Sequence, residues 1–405
     1  MFDVTKGNRL HIAIFGKRNA GKSSLINALT GQKLAIVSDV AGTTTDPVYK
    51  SMEILPIGPV MLIDTAGIDD SGELGRLRVE KSLEVMRKTD VALLVVAVDS
   101  AFDAAEQLVI EQCKKLTIPL ILVINKIDIG LAANNFIPRI YADLPVASLS
   151  SLTGKGVNIL KGLLIKHAPL KWEQQTLVGD LIRPGDVCVL VTPIDLAAPK
   201  GRLILPQVQI IRDILDSDAM AYVVKERELR ACIQSLKDKP RIVITDSQAF
   251  LKADADTPPG VLFTSFSILF ARFKGDLRTF VEGASAIGQL RSGDKVLIAE
   301  SCTHHRVEDD IGTVKIPRWI RNMQGDVEFV HVAGTEFPAD LSSYKLVLHC
   351  GGCMSNRRDM LSRMLVCKEA GVPIVNYGIA IGYLQGVLKR ALSPWPELVE
   401  ILQND

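Results

Sequence analysis

The run Gly16-Lys17-Arg18-Asn19-Ala20-Gly21-Lys22-Ser23 follows the apolar stretch LHIAIF and opens the helical pattern KSSLINALTG. It satisfies G-x-x-x-x-G-K-[ST] between a predicted strand and a predicted helix, the setting in which that motif has a physical meaning. Its glycines let backbone N–H groups close around phosphate at a helix N-terminus, where the peptide dipoles add positive potential. Lys22 is expected to reach the β and γ oxygens and Ser23 to ligate magnesium, with Gly16, Ala20, Gly21 and Ser24 completing the cradle. Such a loop sits at the carboxyl end of a strand in a helix-covered sheet, which places the start of the chain in the α/β class.

Further motifs follow in order. Asp64-Thr65-Ala66-Gly67 ends the next buried strand, where the carboxylate can hold the metal through water and the Gly67 N–H can sense the γ-phosphate. Between them, Gly42-Thr43-Thr44-Thr45-Asp46 is a polar loop in which Thr44 is expected to complete the magnesium shell. Asn125-Lys126-Ile127-Asp128 follows the strand PLILVI. The Asp128 carboxylate can accept from both N1–H and the exocyclic amine of guanine, whereas adenine would present an acceptor at N1, so GTP and GDP are the expected nucleotides. Ser150-Ser151-Leu152 completes the set. Lys22, Thr44 and Gly67 are the expected catalytic groups. Ile68 stands where many nucleotide switches carry a glutamine that orients the attacking water, which predicts slow intrinsic hydrolysis.

With 405 residues, the chain is too long for one ordinary core. Strand-like and helix-like runs alternate through residues 10–167, pause at the polar stretch LKWEQQT, restart with DVCVLVTPI, AYVV, RIVITD and VLFTSF, and continue with KVLIAES, VEFVHVAG, KLVLHCGG and PIVNYG. This predicts an α/β protein: a P-loop GTPase domain over residues 1–170, then two smaller α/β domains with mostly parallel sheets, over 177–265 and 266–405. The formal charge of +1 offers no general attraction to nucleic acid or to an anionic membrane, and neither is an expected partner. The start reads as a first strand rather than a signal peptide, and the longest later apolar run, Val91 to Val98, is far short of the ~20 residues a membrane span needs, so a cytoplasmic protein is expected.

There are seven cysteines, and an odd number in such a chain does not suggest a disulfide framework. Cys113, Cys188, Cys232 and Cys367 sit singly in apolar or helical contexts, where a small buried hydrophobe is the usual role. The remaining three cluster at strand ends. Cys302 follows KVLIAE in Ser301-Cys302-Thr303-His304-His305, and His349-Cys350-Gly351-Gly352-Cys353 follows KLVL. Strand ends in an open parallel sheet form the usual ligand crevice, and the two glycines permit a tight turn between Cys350 and Cys353. A helix beginning near Met354 would favour thiolate over thiol. Structural zinc, a dithiol and an iron-sulfur cluster all remain open at this point, with zinc and cluster level.

The runs GKRNAGKSSLINALTG and AGTTTD resemble the translation-factor-like GTPases of tRNA modification and ribosome assembly. Joined to Cys302-x-His304 and His349-Cys350-x-x-Cys353, they make the whole chain, in order and length, resemble the GTPase maturases of iron-only (FeFe) hydrogenase, the HydF family. The resemblance implies that Cys302, Cys350 and Cys353 bind a 4Fe-4S cluster and that the chain is a scaffold and carrier for the diiron (2Fe) subcluster of the hydrogenase active site. It implies work with two radical S-adenosylmethionine maturases, delivery to apo FeFe-hydrogenase, and a homodimer or larger assembly formed through residues 177–265. Asn19 matches a position that in relatives helps bind potassium, implying potassium-stimulated hydrolysis and adding Asn19 to the expected catalytic groups. The fourth cluster ligand stays open among His304, His349 and an acidic residue of the run Glu308, Asp309 and Asp310. Arg357 and Arg358 would neutralise an anionic cargo. The alternative is a tRNA-modification or ribosome-assembly GTPase with a structural zinc site, against which the absence of a basic stripe counts.

Overall fold

The computed structural model describes residues 9–31, 47–54, 58–68, 81–129, 143–167, 176–193, 203–301, 310–334, 336–338, 340–352 and 355–402. The chain forms two compact units, residues 1–174 and 175–405. Thr44, Cys302, His304, Glu308 and Cys353 lie outside the described residues.

The first unit is built on a six-stranded sheet. Its strands are β1 (Leu10–Phe15), β2 (Val48–Ile54), β3 (Gly58–Asp64), β4 (Val91–Ala97), β5 (Leu120–Asn125) and β6 (Val146–Ser148), in the spatial order β2-β3-β1-β4-β5-β6. All pairs are parallel except β2 with β3. β1 is buried at every position, which requires helices on both faces and explains its unbroken apolar run. Leu10, Ile12 and Ile14 pack with the helices Lys22–Thr30 and Val157–His167, while Ala13 and Phe15 pack with the helix Ala104–Lys115, whose buried face includes Cys113. The period of two along β1 thus separates two apolar layers. Strands β2 and β6 were not expected from the sequence. β2 is a mostly exposed edge strand without a continuous apolar run, and β6 is three residues long.

The second unit carries two four-stranded, wholly parallel sheets. One contains β7 (Val187–Val191), β8 (Met220–Val224), β9 (Ile242–Thr245) and β10 (Leu262–Ser265) in the order β10-β9-β7-β8. The other contains β11 (Lys295–Glu300), β12 (Glu328–Ala333), β13 (Leu346–His349) and β14 (Ile374–Asn376) in the order β12-β11-β13-β14. All eight were expected. A single apolar core runs through both sheets, from Leu177 to Leu398. The helix Phe266–Lys274 lies within it. Phe266, Ile268, Leu269, Phe270, Ala271 and Lys274 are all buried, because helices belonging to both sheets pack around it. Among the described residues no helix is long and apolar enough to cross a membrane.

Candidate nucleotide and metal sites

The phosphate loop links β1 to the helix Lys22–Thr30, and its two outer glycines are sterically required. Gly16 has φ +151°, and a Cβ there would collide with the Val95 carbonyl of β4. Gly21 caps the helix at φ +92°, and its Cβ would collide with the Asn125 amide. Lys22 Nζ donates to the carbonyls of Gly16 and Lys17 at 2.9 and 2.8 Å. Ser23 Oγ donates to Asp64 Oδ2 at 2.7 Å, and Asp64 Oδ1 is buried with no hydrogen-bond partner among the described residues. Burial pushes the Asp64 carboxyl above its usual range, against the pull of Ser23 and Lys22. A hydroxyl bonded to a carboxylate whose second oxygen is under-satisfied is a donor set that suits a hard divalent cation that keeps some of its water, as magnesium does.

At the end of β5, Asn125 joins three motifs. Its Nδ2 donates to Ala20 O at 2.9 Å, and its Oδ1 accepts from both the N–H and the hydroxyl of Ser151 at 3.0 Å. Ser150 is fully buried and its hydroxyl accepts from Thr153 N–H at 3.1 Å. Lys126 has φ +66° and pairs with Asp99 at 3.5 Å, while Asp128 is exposed at the loop surface and Leu152 is 85% exposed, so the base-reading edge is open. Asn19 is also exposed, at φ +59°. Ser24 and Gly67 are half-buried, and Ile68 packs into the apolar layer with Phe15 and Ile63.

In the second unit, β11 and β13 are neighbours, with Ala299 beside His349. Cys350 Sγ, at the end of β13, accepts from Ser301 N–H at 3.1 Å and Gly352 N–H at 3.4 Å. Two backbone donors on one sulfur stabilise a thiolate and are a recurrent device around metal-bound cysteine. Asp246, Ser267, Glu300, Asp310, Cys350 and Tyr377 help line a cavity of about 280 Å³ at the carboxyl ends of β9, β11 and β13. Tyr377 O–H donates to Glu300 Oε1 at 3.2 Å, and burial keeps that hydroxyl well above the usual tyrosine range. Among the described residues no three His, Cys, Asp or Glu side chains gather as a metal site.

His349 is fully buried, and burial followed by the Arg363 guanidinium pushes its imidazole down to about 3. Nδ1 lies 2.8 Å from the Cys350 carbonyl, which can only accept, so Nδ1 carries the hydrogen and Nε2 accepts from Arg363 Nη1 at 3.1 Å. Both ring nitrogens are therefore engaged within the fold. Arg357, expected to meet cargo, donates instead to the carbonyls of Phe273 at 2.6 Å and Gly275 at 3.4 Å. Of the two glycines, only Gly352 is conformationally demanded, at φ +61°, while a Cβ on Gly351 meets only Ser267 Oγ at 3.6 Å. The helix expected near Met354 starts at Arg357 with Asn356 as its cap. Sequence reasoning missed Arg363 and Lys274, both of which read as ordinary helix-surface cations.

Comparison with known proteins agrees with this architecture. Residues 177–275 match the family model of the hydrogen maturase F dimerization domain, and residues 278–394 match that of its tetramerization domain. The chain belongs to the HydF family. In this HydF chain, residues 11–126 match the family model of a 50S ribosome-binding GTPase. The tRNA modification GTPase MnmE of Ralstonia nicotianae is 39% identical over 168 residues, covering 39% of this chain and 35% of the relative. MnmE of Aquifex aeolicus is 34% identical over 173 residues, covering 42% and 37%. GTPase Der of Wolinella succinogenes is 32% identical over 169 residues, covering 39% and 36%. The aligned part thus spans only about a third of the length of each of these curated relatives. A crystal structure of Aquifex aeolicus Era bound to GDP and AlF4− is 25% identical, covering 53% of this chain and 93% of that one, with a TM-score of 0.36.

Proposed function

We propose that this HydF chain is a magnesium-dependent, potassium-stimulated GTPase of slow intrinsic rate that binds a 4Fe-4S cluster and serves as scaffold and carrier for the diiron subcluster of FeFe-hydrogenase. Membership of the HydF family supports the maturation role, and the GTPase-domain match supports GTP hydrolysis. The observation that carries the cluster reading is the sulfur of Cys350, a residue of the cavity wall, which takes N–H bonds from Ser301 and Gly352. Cys302 is bonded directly to Ser301, and Cys353 directly to Gly352.

In the GTPase unit, Lys22 neutralises charge on the β and γ oxygens, while Ser23 and Thr44 hold magnesium and Asp64 orients its water. The Gly67 N–H senses the γ-phosphate, and Asn19 holds potassium, which supplies positive charge where other GTPases use an arginine finger. Asp128 reads the guanine edge; Lys126, Ser151 and Leu152 flank it. Ile68 contributes packing and no hydrogen bond to water, which accounts for the slow rate.

In the second unit, Cys302, Cys350 and Cys353 are the cluster thiolates, and His349 orients Cys350 from behind rather than ligating, because its Nε2 lone pair already accepts from Arg363. The fourth ligand is then His304 or a carboxylate such as Glu308. When bound, the cluster supplies an iron whose weaker ligand can be displaced. The protein works in the cytoplasm as a dimer or larger assembly, with apo-hydrogenase and two radical S-adenosylmethionine maturases as partners. The tRNA-modification or ribosome-assembly alternative draws support from relatives of the GTPase part alone.

Anaerobic reconstitution tests the reading. Four iron and four sulfide per chain, and a reduced-state EPR signal lost in Cys350→Ser, are expected. A colourless protein holding stoichiometric zinc overturns it. Hydrolysis measured in potassium against sodium chloride, with Asn19→Ala as control, tests the cation.

A further inference from the structure

Lys274 closes the helix Phe266–Lys274, a position where a lysine ordinarily lies in solvent and complements the helix dipole. Here it is 1% exposed, its methylenes pack within the shared core, and its ammonium lies 5.5 Å from the Phe270 ring centroid. Burying an ammonium is costly unless strong acceptors meet it. Nζ donates to Gly352 O at 2.7 Å and to Ser355 O at 2.8 Å. Those two carbonyls bracket Cys353 and Met354 in the chain, and Gly352 O also accepts from Ser355 Oγ at 3.1 Å. The Gly352 N–H, on the other side of the same residue, donates to Cys350 Sγ.

We propose that Lys274 is a positioning residue for the cluster site, holding the carbonyls of Gly352 and Ser355, which flank Cys353 in the sequence, and placing a buried positive charge beside the bound cluster. The proposal rests on the cluster reading given above. Its geometric part is independent of that reading, since the clamp exists in the chain itself. Removing the ammonium removes one positive charge whatever else faces it. In a poorly polarisable interior that loss disfavours the more negative, reduced cluster. The step affected is the gain of one electron by the oxidised cluster, supplied in the assay by dithionite.

The test uses the full chain. Lys274→Met replaces the ammonium by an apolar group of similar length, and Lys274→Gln keeps two N–H donors without the charge. In reconstituted Lys274→Met, EPR-monitored redox titration is expected to shift the one-electron equilibrium at least tenfold toward the oxidised cluster, about 59 mV. Cluster retention after desalting falls in Lys274→Met and is largely kept in Lys274→Gln, which still shows the lowered midpoint. The GTPase rate is unchanged in both. Hydrogen exchange of the Gly352 and Ser355 amides in cluster-free protein is expected to speed up at least tenfold in Lys274→Met. Wild-type midpoint and wild-type loop exchange in a folded Lys274→Met protein overturn the proposal. If that variant fails to fold, the Lys274→Gln midpoint decides. If wild-type protein takes up no cluster, the function reading fails, and loop exchange alone decides the clamp.

Discussion

Replacing Asn125 by Ala tests whether this side chain holds the nucleotide site together before any nucleotide arrives. Asn125 is 2% exposed, and its amide satisfies Ala20 O on one side and the Ser151 N–H and hydroxyl on the other. Truncation leaves the Ala20 carbonyl, on a residue only 4% exposed, without this donor. A buried group left in that state costs about 1–3 kcal/mol. Ser151 is half-buried, so water can replace part of what it loses, and its share is the smaller one. The sum is about 2–4 kcal/mol, or roughly a 30- to 1000-fold increase in local opening. Amide hydrogen exchange in nucleotide-free full-length protein reads this directly, because it resolves β1, the phosphate loop and β5 without cutting the chain. The expected acceleration covers Ala20 to Leu25 and Leu149 to Ser151. Asn125→Asp keeps acceptors for Ser151 and loses the donor to Ala20, so it should loosen the phosphate loop more than the 149–151 segment. If Asn125→Ala exchanges like wild type in both segments and loses only nucleotide affinity, the stapling argument is refuted and Asn125 acts through the nucleotide alone.

The remaining predictions concern the second unit and are read by urea unfolding of the full chain, followed by tryptophan fluorescence, to which Trp319 and Trp395 of this unit and Trp172 contribute. Gly352→Ala should cost about 1–2 kcal/mol because the residue sits at φ +61°, whereas Gly351→Ala should stay within about 0.5 kcal/mol; equal costs would contradict the turn geometry. Arg363→Met strands the His349 Nε2 and the Gly334 carbonyl, which accepts from Nη2 at 2.7 Å, and should cost about 2–4 kcal/mol. Asp180 faces the Arg272 fork at 2.6 and 2.7 Å; burial alone would raise its carboxyl, but the guanidinium outweighs that and holds it below the usual range. A lowered folded-state pKa gives stability that is present above the unfolded carboxylate value and lost as pH falls through the folded one. Asp180→Asn should therefore cost up to about 1 kcal/mol at pH 7, with the difference from wild type shrinking as pH falls below the unfolded carboxylate value and vanishing only below the lowered folded one; a gap independent of pH would rule this out.

Much of the architecture was legible because buried parallel strands write themselves as unbroken apolar runs, as in LHIAIF, VALLVVA and KLVLH. β2 escaped notice because an exposed edge strand has no such run. The phosphate loop was legible because its residues act contiguously, with glycines placed where φ is positive. Lys274 was not, since its acceptors lie 78 and 81 positions further along the chain, and nothing local in FARFKGD distinguishes a buried ammonium from a solvated one. His349 was recognisable as part of a motif, but its engagement with Arg363 depends on the helix Arg357–Glu369 folding back over β13. Arg357 illustrates the same limit: its destination is the end of a helix that the cysteine motif does not mention.

The uninterrupted apolar interior of residues 175–405 bears on how this protein can be dismantled. The seam between the two matched family domains, near residues 275–278, is a boundary in ancestry rather than a plane of cleavage. A fragment begun there would tear away the helix Phe266–Lys274 and leave a raw oily scar where it had lain, so the severed half should clump instead of standing alone. The sulfur-bearing end of the second sheet thus rests on the same interior as the first.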